Sequence, residues 1–333
     1  MRKPLLISAL SLMLAALLLC GCAAPAPVFA PADTSVPVPA PTPAPAPSPL
    51  PTVAPLPFSL IWMSDTQHYS NAYLEYFAAM TEWTVENRRR LRIRYVVHTG
   101  DVVGTASKAY TWVNAESAMS TLRDADMPVF MLAGNHDSFS AKTKDFTSYL
   151  EFRKPYLAPD EEVYRDGLCS AATFTAGGAD FLLVGISCNV LRKDAAAVDW
   201  VNSVLDKYPD HIAILCFHSY MDIGKRLIAD GVVAMNSIIP FHKNVRLVLA
   251  GHCRGVSKKQ TAFDDDGDGT PERVVDQIVM NYQSVKKGGS GYLGIMRFDP
   301  KDGSVSVTAY SPFLNDYGYY QDGRDIFVIE NVF

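Results

Sequence analysis

Outside its first 22 residues the 333-residue chain has only four cysteines, and no Cys-x-x-Cys pair of the kind that holds structural zinc or an iron–sulfur cluster. It also lacks a basic surplus. Thirty Lys and Arg stand against 35 Asp and Glu, a net charge of −5, so no nucleic-acid-binding surface is evident. The one dense cationic cluster is Arg88, Arg89, Arg90, Arg92 and Arg94. It falls where a helix starting near Asn71 should end and where positive charge complements the helix dipole; the other reading is a patch for an anionic polymer or lipid headgroups. No second proline-rich linker interrupts residues 58–333, which read as one globular domain.

The N-terminus departs from this pattern. Arg2 and Lys3 precede an apolar stretch over residues 5–19 and then Leu19-Cys20-Gly21-Cys22, which reads as a lipoprotein signal peptide over residues 1–22. Gly21 before Cys22 makes Cys22 the better acylation site, and lipid there would anchor the protein extracytoplasmically to a bacterial membrane. Simple cleavage and an uncleaved anchor are the alternatives. Residues 23–57, rich in Pro and Ala, predict a disordered, extended spacer.

Apolar or β-branched runs at 58–63, 95–98, 129–133, 173–175, 181–186, 212–217 and 247–250 predict strands, each followed by a polar or glycine-containing loop. Helical spacing is expected over 71–87, 110–124, about 143–150, 195–208 and 221–229. Further strands at 274–280, 292–298 and 305–310 make an antiparallel tail. Alternation followed by such a tail suggests an α/β protein in which two sheets pack face to face with helices outside. Cys169 and Cys188 flank a candidate hairpin, equidistant from a centre between Gly178 and Ala179. A regular register would set them opposite each other for a disulfide, whereas one bulge would leave two buried thiols. Cys216 reads as core.

Five short segments carry the chemistry: Ser64-Asp65-Thr66-Gln67-His68, Gly100-Asp101, Gly134-Asn135-His136-Asp137, His218 with its neighbours, and Gly251-His252-Cys253-Arg254. Each follows an apolar run, so all five can meet at one sheet edge. Carboxylate, carboxamide and imidazole donors suit a divalent ion such as manganese, iron or zinc, which can polarise a phosphoryl oxygen and activate water. Their order and types resemble the calcineurin-like metallophosphoesterase superfamily, in an exported branch with a Ser-Asp-Thr-Gln first motif. The resemblance implies a four-layer α/β/β/α sandwich of two mixed sheets flanked by helices. It implies a bridging ligand at Asp101, a first-metal ligand at Asp65, and second-metal ligands at Asn135, His218 and His252. It further implies that His136 stands beside the phosphate, oriented by Asp137. Gly134 is expected to permit the tight turn between strand and site.

The first metal position departs from the family pattern. Asp-x-His becomes Asp65-Thr66-Gln67, and Gly-His-x-His becomes Gly251-His252-Cys253-Arg254, so both of its histidines are missing. Gln67 can still offer a carbonyl oxygen. His68 could substitute, Arg254 could grip phosphate in place of the ion, or the first site could be empty. Cys253 is a further donor, with a structural role as the alternative. One or two ions are therefore expected. Asp264, Asp266 and Asp268 have the spacing of a calcium loop, but Val275 stands where its closing glutamate would be, so a hairpin turn is the other reading. Asn281-Tyr282-Gln283 and Gly288-Gly289-Ser290-Gly291-Tyr292 are expected near the substrate cleft. The sequence thus predicts a phosphate mono- or diesterase; the alternative is a catalytically degenerate surface protein that binds a phosphorylated ligand.

Overall fold

A computed structural model describes residues 55–138 and 144–333. The expected signal peptide with Cys22, and most of the expected spacer, lie outside the described residues. The described residues belong to one contact unit.

The first sheet is built on β1 (Phe58–Met63), whose six residues are all buried. Side chains alternate across a strand. Leu60 and Trp62 therefore enter the core between the sheets, while Ile61 and Met63 pack beneath helices. Beside it lie β2 (Ile93–His98) and β3 (Val129–Met131), all three parallel. On its other side β11 (Leu293–Asp299) runs antiparallel and is followed by β12 (Ser304–Ser311), which pairs with both β13 (Asp316–Tyr317) and β14 (Ile326–Ile329). In the second sheet the order is β4 (Glu162–Tyr164), β5 (Cys169–Ala176), β6 (Ala179–Ile186), β7 (Ile212–Phe217), β8 (Val245–Ala250), β10 (Arg273–Asn281) and β9 (Gly255–Phe263). From β6 through β7 and β8 to β10 the pairing is parallel.

Helices α2 (Leu74–Leu91), α3 (Ala109–Asp124) and α4 (Lys144–Arg153) contribute to the core outside the first sheet. Those outside the second sheet are α5 (Ala195–Lys207) and α6 (Asp230–Ser237). A third cluster, including Phe58, Trp62, Phe181, Leu183, Ile214, Leu249 and Met280, fills the space between the sheets. This is the expected four-layer sandwich of mixed sheets. Because β1, β2, β7 and β8 are parallel within their sheets, their C-terminal ends deliver the motif loops to one edge, where open α/β sheets bind ligands.

Three local expectations are corrected. The helix expected from Asn71 begins earlier and breaks at Tyr73 (φ −133°, ψ 50°), so α1 (Gln67–Ala72) carries Gln67 and His68. Residues 221–229 are not a helix: Asp222 and Arg226 close a turn that brings Met221 and Leu227 together as a bridge, and the helix starts at Asp230. The β5–β6 hairpin turns on Gly177 and Gly178, with φ +59° and +79°, one residue before the expected centre. A Gly-Gly pair tolerates the positive φ that a two-residue hairpin turn needs. Cys169 consequently pairs with Ile186, Cys188 lies beyond the strand, and both thiols are free. The arginine cluster does end α2: Arg88, Arg89 and Arg90 occupy its last turn and Arg92 its left-handed cap.

Candidate functional site

The site begins with backbone geometry at strand ends. Asp65, Asp101 and His252, just beyond β1, β2 and β8, have φ of +54°, +55° and +62°. Left-handed backbone at non-glycine residues costs energy and is concentrated at functional sites. The loops also cross at contact distance. A Cβ on Gly134 would overlap Asp101 Oδ1, and one on Gly251 would overlap Ser64 Oγ and Asp65 Oδ2. Gly134 is thus required by close approach to Asp101, and its φ is not among the positive ones.

Asp101 is buried at the centre. Its Oδ1 accepts the His136 backbone N–H at 2.8 Å, and its Oδ2 lies 3.4 Å from His218 Nε2. Ligand atoms of Asp101, His218 and His252 all lie within 4.8 Å of one another, and Asn135 Oδ1 is 3.0 Å from His218 Nε2. The expected second-metal set is therefore brought together. His218 Nδ1 donates to the Thr99 carbonyl at 2.9 Å, which presents Nε2 to the cluster. Burial works against charge on His218, but Asp101 and Asp65 outweigh it and raise its pKa to about 10. His252 is lowered to about 4 by burial and by His218. Burial opposes ionisation of Asp101, yet His218 holds it below the ordinary carboxylate range.

Asp65 stands outside that tight cluster. Its Oδ2 accepts from Ser64 Oγ at 2.5 Å and from the His252 N–H at 3.0 Å. Its Oδ1 is buried without a hydrogen-bond partner among the described residues, and burial pushes its pKa up to about 7. An orphaned buried carboxylate oxygen is costly unless a cation meets it. This atom and the oxygen and imidazole donors beside it fit a divalent ion.

On the first-metal side, the Gln67 carboxamide lies 3.3 Å from Asp101 Oδ2 and 2.5 Å from that of Gln283. His68 is half-buried under the Gly288 backbone, where its pKa is lowered by burial and by Arg254. Arg254 is exposed and has no ion pair among the described residues. Cys253 packs at the margin of the apolar cluster beneath α5 and α6.

The expected role of Asp137 is corrected. The His136 imidazole is held through Nδ1 by the Gly104 carbonyl at 2.8 Å. Asp137, fully buried, instead accepts the Val103 and Gly134 N–H groups at 3.0 and 2.9 Å, tying the Asp101 loop to the Asn135 loop. Burial, followed by the nearby Asp101 charge, pushes its pKa up to about 6. Ser64, Thr99, Gly104 and Gln283 are contributors the motifs did not assign. Gln283 came nearest to being found, because its segment was already expected at the cleft; Asn281 Nδ2 there donates to the His252 carbonyl at 3.0 Å. Far from this edge, Asp264, Asp266, Asp268 and Glu272 cluster in the exposed β9–β10 turn, where the three aspartates accept the turn's own N–H groups.

A model of the calcineurin-like phosphoesterase family matches residues 58–253, and the chain belongs to that family. The uncharacterized protein YvnB of Bacillus subtilis (strain 168) is 35% identical over 269 residues, covering 79% of this chain. The chain spans about a fifth of the length of that curated relative, 20%. Purple acid phosphatase PPD1 from yellow lupin (Lupinus luteus) seeds is similar in structure, with a TM-score of 0.53 at 11% identity, covering 83% of this chain and 54% of the lupin chain. GAP50, the anchor in the inner membrane complex of Plasmodium, has a TM-score of 0.50 at 11% identity over 82% and 88% of the two chains. At that identity the likeness is one of fold.

Proposed function

We propose that the chain is an extracytoplasmic phosphoesterase that cleaves a phosphate mono- or diester with one firmly held divalent cation, manganese, iron or zinc, and a weakened first position. The observation that carries this reading is the convergence of Asp101, His218 and His252 within 4.8 Å, with Asn135 against His218. When bound, the cation supplies Lewis-acid polarisation of the phosphoryl oxygen and activation of water. The chain supplies position and charge. With Nδ1–H donating to the Gly104 carbonyl, Nε2 of His136 is the atom that would take up a second proton and, from the imidazolium, hand it to the leaving oxygen. Arg254, exposed and unpaired among the described residues, can take phosphate oxygens in a bidentate contact. The placement outside the cytoplasm rests on the N-terminal sequence and on Cys22 as lipid acceptor; a Cys22→Ser chain still found with membranes would remove the lipid anchor from this reading.

The test is metal analysis of the full chain together with hydrolysis of p-nitrophenyl phosphate and bis(p-nitrophenyl) phosphate. One equivalent of metal is expected, and Asp101→Ala should lose it together with at least about 10³-fold of the activity. Absence of turnover with any of the three metals, with Asp101→Ala indistinguishable from wild type, would overturn the proposal. A second reading, a degenerate protein that only binds a phosphorylated ligand, is favoured by the Gln67 carboxamide lying against Gln283. Arg254→His separates the two. A large gain from a nearly inactive parent supports the binder, and a loss shows that Arg254 serves catalysis.

A further inference from the structure

Three side chains outside the ligand set form a hydrogen-bonded line into the site. Trp62 Nε1 donates to Thr99 Oγ1 at 3.0 Å, Thr99 Oγ1 donates to Ser64 Oγ at 2.7 Å, and Ser64 Oγ donates to Asp65 Oδ2 at 2.5 Å. The direction of the line is fixed by its first member, because an indole N–H only donates. Thr99 accepts from Trp62, so its own proton goes to Ser64, and the Ser64 proton goes to the carboxylate. Trp62 and Thr99 are fully buried, and Trp62 belongs to the core between the sheets, so the line starts from a fixed point. A Cβ on Gly251 would overlap Ser64 Oγ and Asp65 Oδ2 and crowd Thr99 Oγ1, so a residue without a side chain is what lets the line pass. Thr99 serves both halves of the site: its carbonyl takes His218 Nδ1 at 2.9 Å, while its hydroxyl leads to Asp65. The backbone is tied as well, with the Thr99 N–H on the Met63 carbonyl and the Asp65 N–H on the Gly100 carbonyl, both at 3.0 Å.

We infer that Thr99 and Ser64 are positioning residues for the cation, acting through Asp65. The inference rests on the divalent-cation reading of the site. With the Ser64 hydroxyl and the His252 N–H both on Oδ2, the carboxylate is held by one oxygen, and Oδ1 is left without a donor among the described residues. A carboxylate fixed in this way keeps a single free oxygen in one place, and a ligand oriented by its neighbours binds a cation more tightly than one free to turn. Loss of the Thr99 hydroxyl would release Ser64 from its donor and let it turn away from Asp65. Loss of the Ser64 hydroxyl would leave Oδ2 with the His252 N–H alone. Neither change touches the Thr99 carbonyl, so His218 keeps its orientation and any effect is assigned to the Asp65 side.

The experiment titrates manganese, zinc and, without oxygen, ferrous iron into the metal-stripped full chain by calorimetry, with Tm followed in parallel. Thr99→Val keeps the shape and loses the hydroxyl, and Ser64→Ala does the same at a half-buried position. Each should weaken binding of the preferred metal about tenfold. Thr99→Ser returns the hydroxyl without the methyl group and should restore the affinity even where its Tm stays below that of wild type. On an Asp65→Ala background, Thr99→Val should weaken binding by less than about twofold more, since the residue it acts through is gone. Wild-type affinity in both Thr99→Val and Ser64→Ala, an equal loss in Thr99→Ser and Thr99→Val, or an undiminished further loss on the Asp65→Ala background would overturn the inference. If the affinities follow the expected pattern while p-nitrophenyl phosphate and bis(p-nitrophenyl) phosphate are not hydrolysed, the positioning role stands and the hydrolytic reading fails. A wild-type chain that binds none of the three metals overturns both.

Discussion

The two halves of the candidate metal site meet at one sheet edge yet differ in what their donors are free to do. On one side His218, His252, Asn135 and Asp101 converge, and the His218 ring is fixed from behind by the Thr99 carbonyl. On the other, Gln67 makes side-chain contacts with Asp101 and Gln283, His68 is covered by the Gly288 backbone, and Arg254 brings a fixed positive charge where the family pattern has imidazole. In the proposed reading the first of these is preorganised for a cation, and the second is weakened by the Gln67 hydrogen bonds and by the charge of Arg254. On that reading, metal affinity should depend on how precisely the loops carrying the first half are held together, more than on the number of polar residues nearby.

Gly134→Ala should break that half most severely without replacing any of its donors. Its methyl group would occupy the place of Asp101 Oδ1, and the Asp101 backbone N–H is also too close, so Asp101 or the loop must move. We expect a loss of metal affinity on the order of 10²-fold, read by titration calorimetry, with a destabilisation of about 1–3 kcal/mol. Unchanged affinity would mean that Asp101 does not need its present position. Asp137→Asn should have a smaller effect. An asparagine can accept only one of the Val103 and Gly134 N–H groups through its oxygen and sets its NH₂ against the other. A buried unsatisfied donor costs about 1–3 kcal/mol, seen as a lower Tm, and metal affinity should fall roughly tenfold as the two loops loosen.

These variants also mark what could be read from the chain alone. Strand-then-loop motifs made it legible that Asp65, Asp101, Asn135, His218 and His252 could meet, because parallel strands carry their C-terminal loops to one edge whatever the details of packing; the roles expected of them came from the family resemblance. The same logic placed the apolar runs of β1, β7 and β8. What could not be read was contact geometry. That His136 is held by Gly104 rather than by Asp137 depends on a loop 32 residues away. The break at Tyr73, which sets Gln67 and His68 on their own short helix, contradicts an otherwise continuous helical pattern, and the one-residue shift of the Gly177-Gly178 turn was enough to separate two cysteines. Register and close approach are tertiary properties, to which local residue patterns are nearly blind.

The smallest expected effect is the one that sharpens the comparison most. Gln283 lies against Gln67 at 2.5 Å and also reaches the His252 carbonyl at 3.5 Å, so it tethers the weak half to the strong one. Gln283→Ala removes that tether from a partly buried position and should cost no more than about 1 kcal/mol of stability, since a solvent molecule can replace the lost bond. If the weak half is closed because its donors are chemically unsuitable, with amide oxygen in place of imidazole and the Arg254 charge beside it, the freed Gln67 will not attract a second ion and the metal count will stay at one. If the count rises to two, the closure was only a matter of Gln67 being held, and the difference between the halves reduces to a single hydrogen bond.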